Sequence, residues 1–276
     1  MSARGAVVWV DGRDSRSFLH GLLSNDVAAL AVGASQPALL LDATGHVRVL
    51  ARVVCTGESA FTLLTDADSG ERLAQLLDEY HFSEDVEIIG PEPVDLVTYA
   101  EAVTPLGADL VIEGSVPGTC DAVGVADVIR QSTTQAAIDD ATLEARRIAA
   151  GVPRFGVDLT ERTLVHEAGL ETTAVSFTKG CYLGQETVAR VEHRGGVNRR
   201  LVGLRLPEMV PTGADVHAAD RVVGSVTSVA GHPTLGPIGL ATLRKEVDEH
   251  DQVFVSDLPT AAIVVTLPFP GSWTTP

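Results

Sequence analysis

The chain changes texture at Gly195-Gly196, and that change limits its fold more than any other feature. Beyond it, Arg200–Leu206, Val222–Val229, Ile238–Leu243, Gln252–Val255 and Ala261–Leu267 are short runs rich in Val, Ile and Leu, divided by turns of Gly, Pro and Asp. Such runs suit a pleated, half-buried surface and lack the 3.6-residue spacing of a helix. They predict an all-β unit over 196–276, an antiparallel barrel.

Before that point the pattern is mixed. Ala6–Val10 reads as a strand, and Asp14–Leu23 as a short helix with Phe18, Leu19, Leu22 and Leu23 on one side. Ala38–Leu41 and Val47–Cys55 read as strands joined by the turn Asp42-Ala43-Thr44-Gly45, and Phe61–Leu64 as a third. Ser69 is expected to cap a helix over Glu71–Tyr80 with a stripe of Leu73, Leu76 and Leu77. Val86–Ile89, Leu96–Tyr99 and Leu110–Ile112 are strand-like, and Asp139–Ala150 is helical until Gly151 and Pro153 stop it. The fold class is α+β. A length of 276 residues allows two domains, or three small ones. The division expected is 1–195 and 196–276, the former split into roughly 1–90 plus part of 140–195, and 91–140 plus the rest.

Charge and cysteine use narrow the function. A net charge of −17 disfavours broad contact with nucleic acid or anionic membrane. No apolar run reaches the roughly 18 residues of a membrane helix. The N-terminus leads into a strand rather than a signal-peptide core, so a cytoplasmic protein is expected. Cys55, Cys120 and Cys181 are scattered and odd in number, which indicates neither a disulfide framework nor a structural metal site. Cys55 and Cys120 read as structural. The nucleotide-cradling, nucleophile-elbow and zinc-helix signatures are missing.

One stretch carries chemistry: Lys179-Gly180-Cys181-Tyr182-Leu183-Gly184-Gln185-Glu186, followed by Arg190. It gathers a thiol, an ammonium, an amide and a carboxylate on a backbone that two glycines allow to approach a ligand closely. Between Lys179 and Arg200 stand five basic residues (Lys179, Arg190, Arg194, Arg199, Arg200) against two acidic ones (Glu186, Glu192), a local +3 on a remainder of −20. That suits a small anion. Cys181 reads either as a reactive thiol, favoured as thiolate by nearby positive charge and a helix start near Gly184, or as a small buried apolar residue. Lys179, Arg190 and Arg194 are candidates for a ligand carboxylate, or else make surface ion pairs. Gln185 and Glu186 hold either the ligand or the loop. Asn25 and Asp26 line the same site or form an Asx turn. His193 is the one histidine in the basic window that invites attention.

The stretch resembles the signature of the YgfZ family, folate-binding proteins related to the aminomethyltransferase (T-protein) of glycine cleavage. Phe18-Leu19-His20-Gly21-Leu22-Leu23-Ser24-Asn25-Asp26-Val27 is similar to the family's N-terminal F-L-Q-G-x-x-T-N-D-V pattern. Arg147-Ile148-Ala149-Ala150-Gly151-Val152-Pro153, with Gly156 and Asp158, resembles R-I-x-x-G-x-P-x-x-G-x-D, and Leu164-Val165-His166-Glu167 stands where L-P-x-E is frequent. The resemblance implies a three-domain cloverleaf with a C-terminal antiparallel β-barrel. It also implies a tetrahydrofolate-class ligand held by Lys179, Gly180, Tyr182, Gln185, Glu186, Arg190, Arg194, Asn25 and Asp26, with Cys181 the functional thiol. The role it implies is support of iron–sulfur protein assembly or repair, with effects on tRNA modification and with iron–sulfur client or assembly proteins as partners. Two departures separate the chain from the aminomethyltransferase branch. Val49 and Leu50 occupy the acidic positions after the early hairpin, which removes an acid–base device worth roughly 10²–10⁴ in rate. Ala149 replaces a glutamate that helps hold the pterin. A folate-dependent one-carbon transferase and an interaction module with a closed pocket remain as alternative readings.

Overall fold

The computed structural model describes residues 3–99, 110–113, 126–129, 139–256 and 258–270. Cys120 lies outside them. Two sheets organise the described residues. The first has seven strands: β1 (Ala3–Asp11), β2 (Ser35–Leu41), β3 (Val47–Gly57), β4 (Ala60–Asp66), β5 (Glu87–Tyr99), β6 (Leu110–Glu113) and β7 (Ala126–Ile129). They lie in the order β2-β3-β4-β1-β5-β7-β6, and every pairing is antiparallel. The two strand-like runs at 86–89 and 96–99 are one strand, β5, which crosses the expected subdomain boundary at 90.

Each face of the sheet near β2 and β3 is covered differently. On one face, α1 (Ser15–Leu22) and α2 (Gly70–Glu79) bring Phe18, Leu19, Leu73 and Leu77 onto Val8, Val49, Val53 and Phe61. Cys55 is buried in this layer, as expected for a structural residue. The other face carries Leu39, Leu41, Val47 and Leu50, which pack on the return segment through Leu159, Val165, Leu170, Val175, Tyr182 and Val188. Alternation along β3 thus sends Val49 and Leu50 into two different cores. Ser69 does not cap α2. A 3-10 turn over Ala67–Ser69 runs straight into the helix, so Ser69 already has a helical backbone and its buried hydroxyl makes no cap bond. Asp139 does cap α3 (Asp140–Ala150), accepting from the Thr142 N–H, and Gly151 closes that helix in the left-handed conformation at φ 72°.

The second sheet is a closed six-stranded antiparallel barrel of β8 (Arg199–Arg205), β9 (Asp215–Ala218), β10 (Arg221–His232), β11 (Gly236–Arg244), β12 (Gln252–Val255) and β13 (Ala262–Val265), in the order β10-β11-β8-β13-β12-β9. Its interior is filled by Val202, Leu204, Val216, Val226, Leu243, Val255 and Val264. Closure leaves no free edge. α3 seats on the outside of the barrel through Ala145, Ile148 and Ala149 against Ile238, Leu240 and Phe269. Ala149 is fully buried there, and its carbonyl accepts from the Phe269 N–H at 2.7 Å. No described helix is long and apolar enough to cross a membrane.

Candidate functional site

The signature stretch is built from the inside out. Lys179 is only 8% exposed. Its ammonium donates to the carbonyl of His20, to that of Leu23 at 2.6 Å and to that of Asn25 at 3.2 Å. These oxygens lie where α1 ends and its last carbonyls lack helical partners, a position that favours a cation. The same nitrogen lies 5.0 Å from the centroid of the Tyr182 ring. Lys179 therefore faces α1 rather than an open ligand site. Burial pulls its pKa down to about 8, a fall that the Asp26 carboxylate offsets only in part.

This is directly measurable, because the chain has two lysines, Lys179 and Lys245. Carbon-detected NMR of the lysine ε-carbons, assigned with Lys245→Arg, should show Lys179 titrating near pH 8. A midpoint at the ordinary 10.5 would mean that the ammonium is solvated. The unfolded chain holds this proton up to the ordinary value. Between about pH 8 and 10.5 it therefore binds more protons than the native state, and this group's contribution makes stability rise with pH in that window.

Three further contacts fix the loop. Tyr182 is buried in the core beneath the sheet, and burial pushes its phenol up to about 12, so it stays neutral. Gly184 has φ 81° and abuts the β2–β3 turn: a Cβ there would lie 2.5 Å from the Asp42 carbonyl oxygen. Ser24, buried in the S-N-D stretch, donates to the Ala174 carbonyl at 2.6 Å and accepts from the Leu39 N–H at 2.8 Å, tying the strand to the segment leading into the signature. Sequence reasoning assigns Ser24 no role, although the motif contains it. Cys181 sits between the anchors Lys179 and Tyr182, and it is exposed. That removes the reading of Cys181 as a buried apolar residue.

The remaining candidates divide into three sets. Asn25 donates to the Pro37 carbonyl at 2.8 Å and the Thr173 carbonyl at 3.2 Å. Asp26 accepts from the Ala29 N–H at 3.1 Å and faces His20 Nδ1 at 3.4 Å, so these two side chains hold backbone. The helix α4 (Gln185–Arg194) follows Gly184. Glu186, Arg190 and Arg194 recur every fourth residue along its exposed side, with Arg190 donating to Glu186 at 2.7 Å. Gln185, Ala189, Glu192 and His193 turn to a recess of about 250 Å³ that also touches Phe177 and Tyr182. Glu192 in turn lies 3.0 Å from His166 Nε2. The structure thus separates Lys179 from Arg190 and Arg194, while placing those two arginines on the same helix as the recess. Gly180 is exposed, and a Cβ added to it would have His20 Nε2, at 3.9 Å, as its nearest atom beyond the flanking residues.

Comparison with known proteins agrees with this architecture. The family described as glycine cleavage T-protein C-terminal barrel domain matches residues 199–269, the span of the closed barrel. A putative chloroplastic transferase of Arabidopsis thaliana is 36% identical over 104 residues, 37% of this chain, which spans about a quarter (24%) of that relative's length. A mitochondrial iron–sulfur cluster assembly factor of Mus musculus is 26% identical across 98% of this chain and 84% of its own. The tRNA-modifying protein YgfZ of Photobacterium profundum is 26% identical across 91% of this chain and 84% of its own. Among solved structures, the glycine cleavage system aminomethyltransferase T from Bartonella henselae superposes with a TM-score of 0.80 at 19% identity, covering 97% of this chain and 84% of that one, a likeness of fold. The chain is a YgfZ-like protein with the glycine cleavage T-protein fold and its C-terminal barrel domain.

Proposed function

We propose that this chain is a folate-binding accessory protein for the assembly or repair of iron–sulfur proteins, in which Cys181 is the reactive group. The observation that carries the reading is the exposed Cys181 thiol held between two anchored neighbours, Lys179 and Tyr182. A thiol presented this way is ordered before any partner arrives, so less ordering is needed on contact. The names of two relatives similar over most of the chain, an iron–sulfur cluster assembly factor and a tRNA-modifying protein, support the same assignment. Turnover as an aminomethyltransferase is disfavoured: Val49 and Leu50 are buried aliphatic residues that cannot move a proton.

Folate fits the remaining groups in part. The recess beside α4 is of a size for a bicyclic ring rather than the whole molecule, with the Gln185 amide and His193 imidazole as hydrogen-bonding groups. Arg190 and Arg194 on the adjoining side would take the glutamate carboxylates. A pterin bound there would supply one-carbon chemistry, while the chain's residues bind and orient it. The division into 1–195 and 196–276 belongs to the same proposal, and limited proteolysis near Gly195-Gly196 would reveal it.

The test is complementation in cells lacking the protein. Cys181→Ser should leave the activity of a [4Fe–4S] client enzyme at the level of those cells. Its melting temperature should stay within about 2 °C of wild type, because an exposed substitution changes stability by about 0.5 kcal/mol or less. Tetrahydrofolate titration should give saturable binding that Arg190→Ala weakens and Cys181→Ser does not. Full complementation by Cys181→Ser would remove the thiol from the mechanism. Absence of folate binding would remove the ligand and leave a protein-interaction role.

A further inference from the structure

A separate cavity of about 370 Å³ lies between the 166–172 segment and barrel strands β8 and β13. Two charged side chains lining it carry buried atoms without a hydrogen-bond partner: Oε2 of Glu171 and Nε of Arg200. These two atoms do not bond each other. The other titratable groups of the cavity are engaged. His166 is paired with Glu192, and Glu249 is held by the Thr266 hydroxyl and N–H, which lower its pKa. Arg200 directs its Nη2 to the Val247 carbonyl, with Asp248 3.7 Å from the same nitrogen, while its Nε is buried without a partner. Buried polar atoms are normally paired, and leaving one unpaired is destabilising, more so when it is charged. Two such atoms of opposite sign in one cavity call for a molecule that brings a cation to one and an anion to the other. Leu201 and Val264 supply apolar wall.

We infer that this cavity binds a small zwitterion, a free aliphatic α-amino acid. Its ammonium would bond Glu171 Oε2, its carboxylate Arg200 Nε, and its side chain would rest against Leu201 and Val264. Charge-assisted bonds at both ends set the specificity, and the volume is at the low end of the range for small-molecule sites. The site is distinct from the signature loop and from the recess beside α4.

The experiment is calorimetric titration of the full chain with L-leucine, with n-butylamine and isovalerate as controls carrying one charge each. Leucine should bind saturably with a Kd of about a millimolar or tighter, and each control at least about tenfold more weakly. Glu171→Gln, which keeps shape but not charge, should weaken leucine binding by at least about tenfold. Without ligand the same variant should melt no lower than wild type, since the carboxylate oxygen it replaces has no native partner. Arg200→Lys, which keeps the charge but lacks Nε, should weaken binding in the same way. Failure to saturate at about 10 mM leucine, or binding indifferent to both substitutions, would overturn the assignment and leave the cavity to water. A loss of stability in Glu171→Gln would also overturn it, by showing that the carboxylate has a structural partner.

Discussion

Replacing Arg147 with methionine should cost about 3–5 kcal/mol of stability, the range for breaking a buried ion pair from one side. For a chain of this size that corresponds to a fall of roughly 6–20 °C in melting temperature. Arg147 is 2% exposed and Asp158 completely buried, and they meet at 2.7 Å. The guanidinium also bonds Glu144 at 2.7 and 3.0 Å, the Val152 carbonyl at 2.6 Å and the Ser228 hydroxyl at 2.6 Å. Asp158 accepts in addition from Thr227, Ser228 and the Arg154 N–H. Burial alone would push the arginine pKa down, but the bonds to Glu144 and the charges of Asp158 and Glu144 outweigh it, and the pKa is raised. The network joins α3 and the loop after it to barrel strand β10. Removing the arginine leaves Asp158 as an unneutralised charge at the seam between the barrel and the rest of the chain.

Thermal or denaturant unfolding checks this, with Asp158→Asn and the double variant completing a cycle. The double variant should be markedly more stable than the sum of the single losses implies, because neutralising Asp158 removes the charge left behind. Arg147→Lys gives an intermediate case that keeps the charge and loses the fork. A loss below about 1 kcal/mol for Arg147→Met would mean that the seam is held by the apolar contacts of Ile148 and Phe269 alone.

The sequence carries some of this and conceals the rest for physical reasons. Strands whose side chains alternate over a core are legible: Gln252–Val255 has the same limits in the sequence reading and in the structure. β9, Asp215–Ala218, escapes such a reading because four residues with one strong strand former give little local signal, and pairing with β10 and β12 is what makes it a strand. β7 escapes it too, and its pairing with β5 and β6 is what makes it a strand. In the site, the motif singles out Cys181 but leaves it open between a reactive thiol and a buried apolar residue, and only the structure shows it exposed. The direction of Lys179 does not follow from the motif, because its acceptors are more than 150 positions away in the chain and nothing local distinguishes it from Arg190. The spacing of Arg147 and Asp158 is visible as part of a family pattern. Their role depends on Ser228 and Thr227, which come from the barrel.

The two glycines flanking Cys181 look equivalent in the sequence, and the structure predicts opposite outcomes for them. Gly184→Ala should destabilise by about 2–5 kcal/mol, combining a left-handed backbone that L-residues adopt at a cost with overpacking against fixed atoms. Its Cβ would lie 2.5 Å from the Asp42 carbonyl oxygen and 3.2 Å from the Gly45 Cα, and backbone cannot yield as a side chain can. Gly45 approaches from the other side under the same constraint, since its own Cβ would lie 2.8 Å from that of Thr187. The turn and the start of α4 therefore touch backbone to backbone, and a methyl group must drive them apart. Gly180→Ala meets nothing nearer than His20 Nε2 at 3.9 Å and should change stability by about 0.5 kcal/mol or less. Mass-spectrometric mapping of thiol-labelling rates separates the local effect from the global one. Gly184→Ala should change the rate at Cys181 under conditions where buried Cys55 is still protected, whereas Gly180→Ala should leave the melting temperature and the Cys55 protection as in wild type. Equal stability of the two variants would show that the signature loop is not seated on the β2–β3 turn, and the ordered presentation of Cys181 would lose its structural basis.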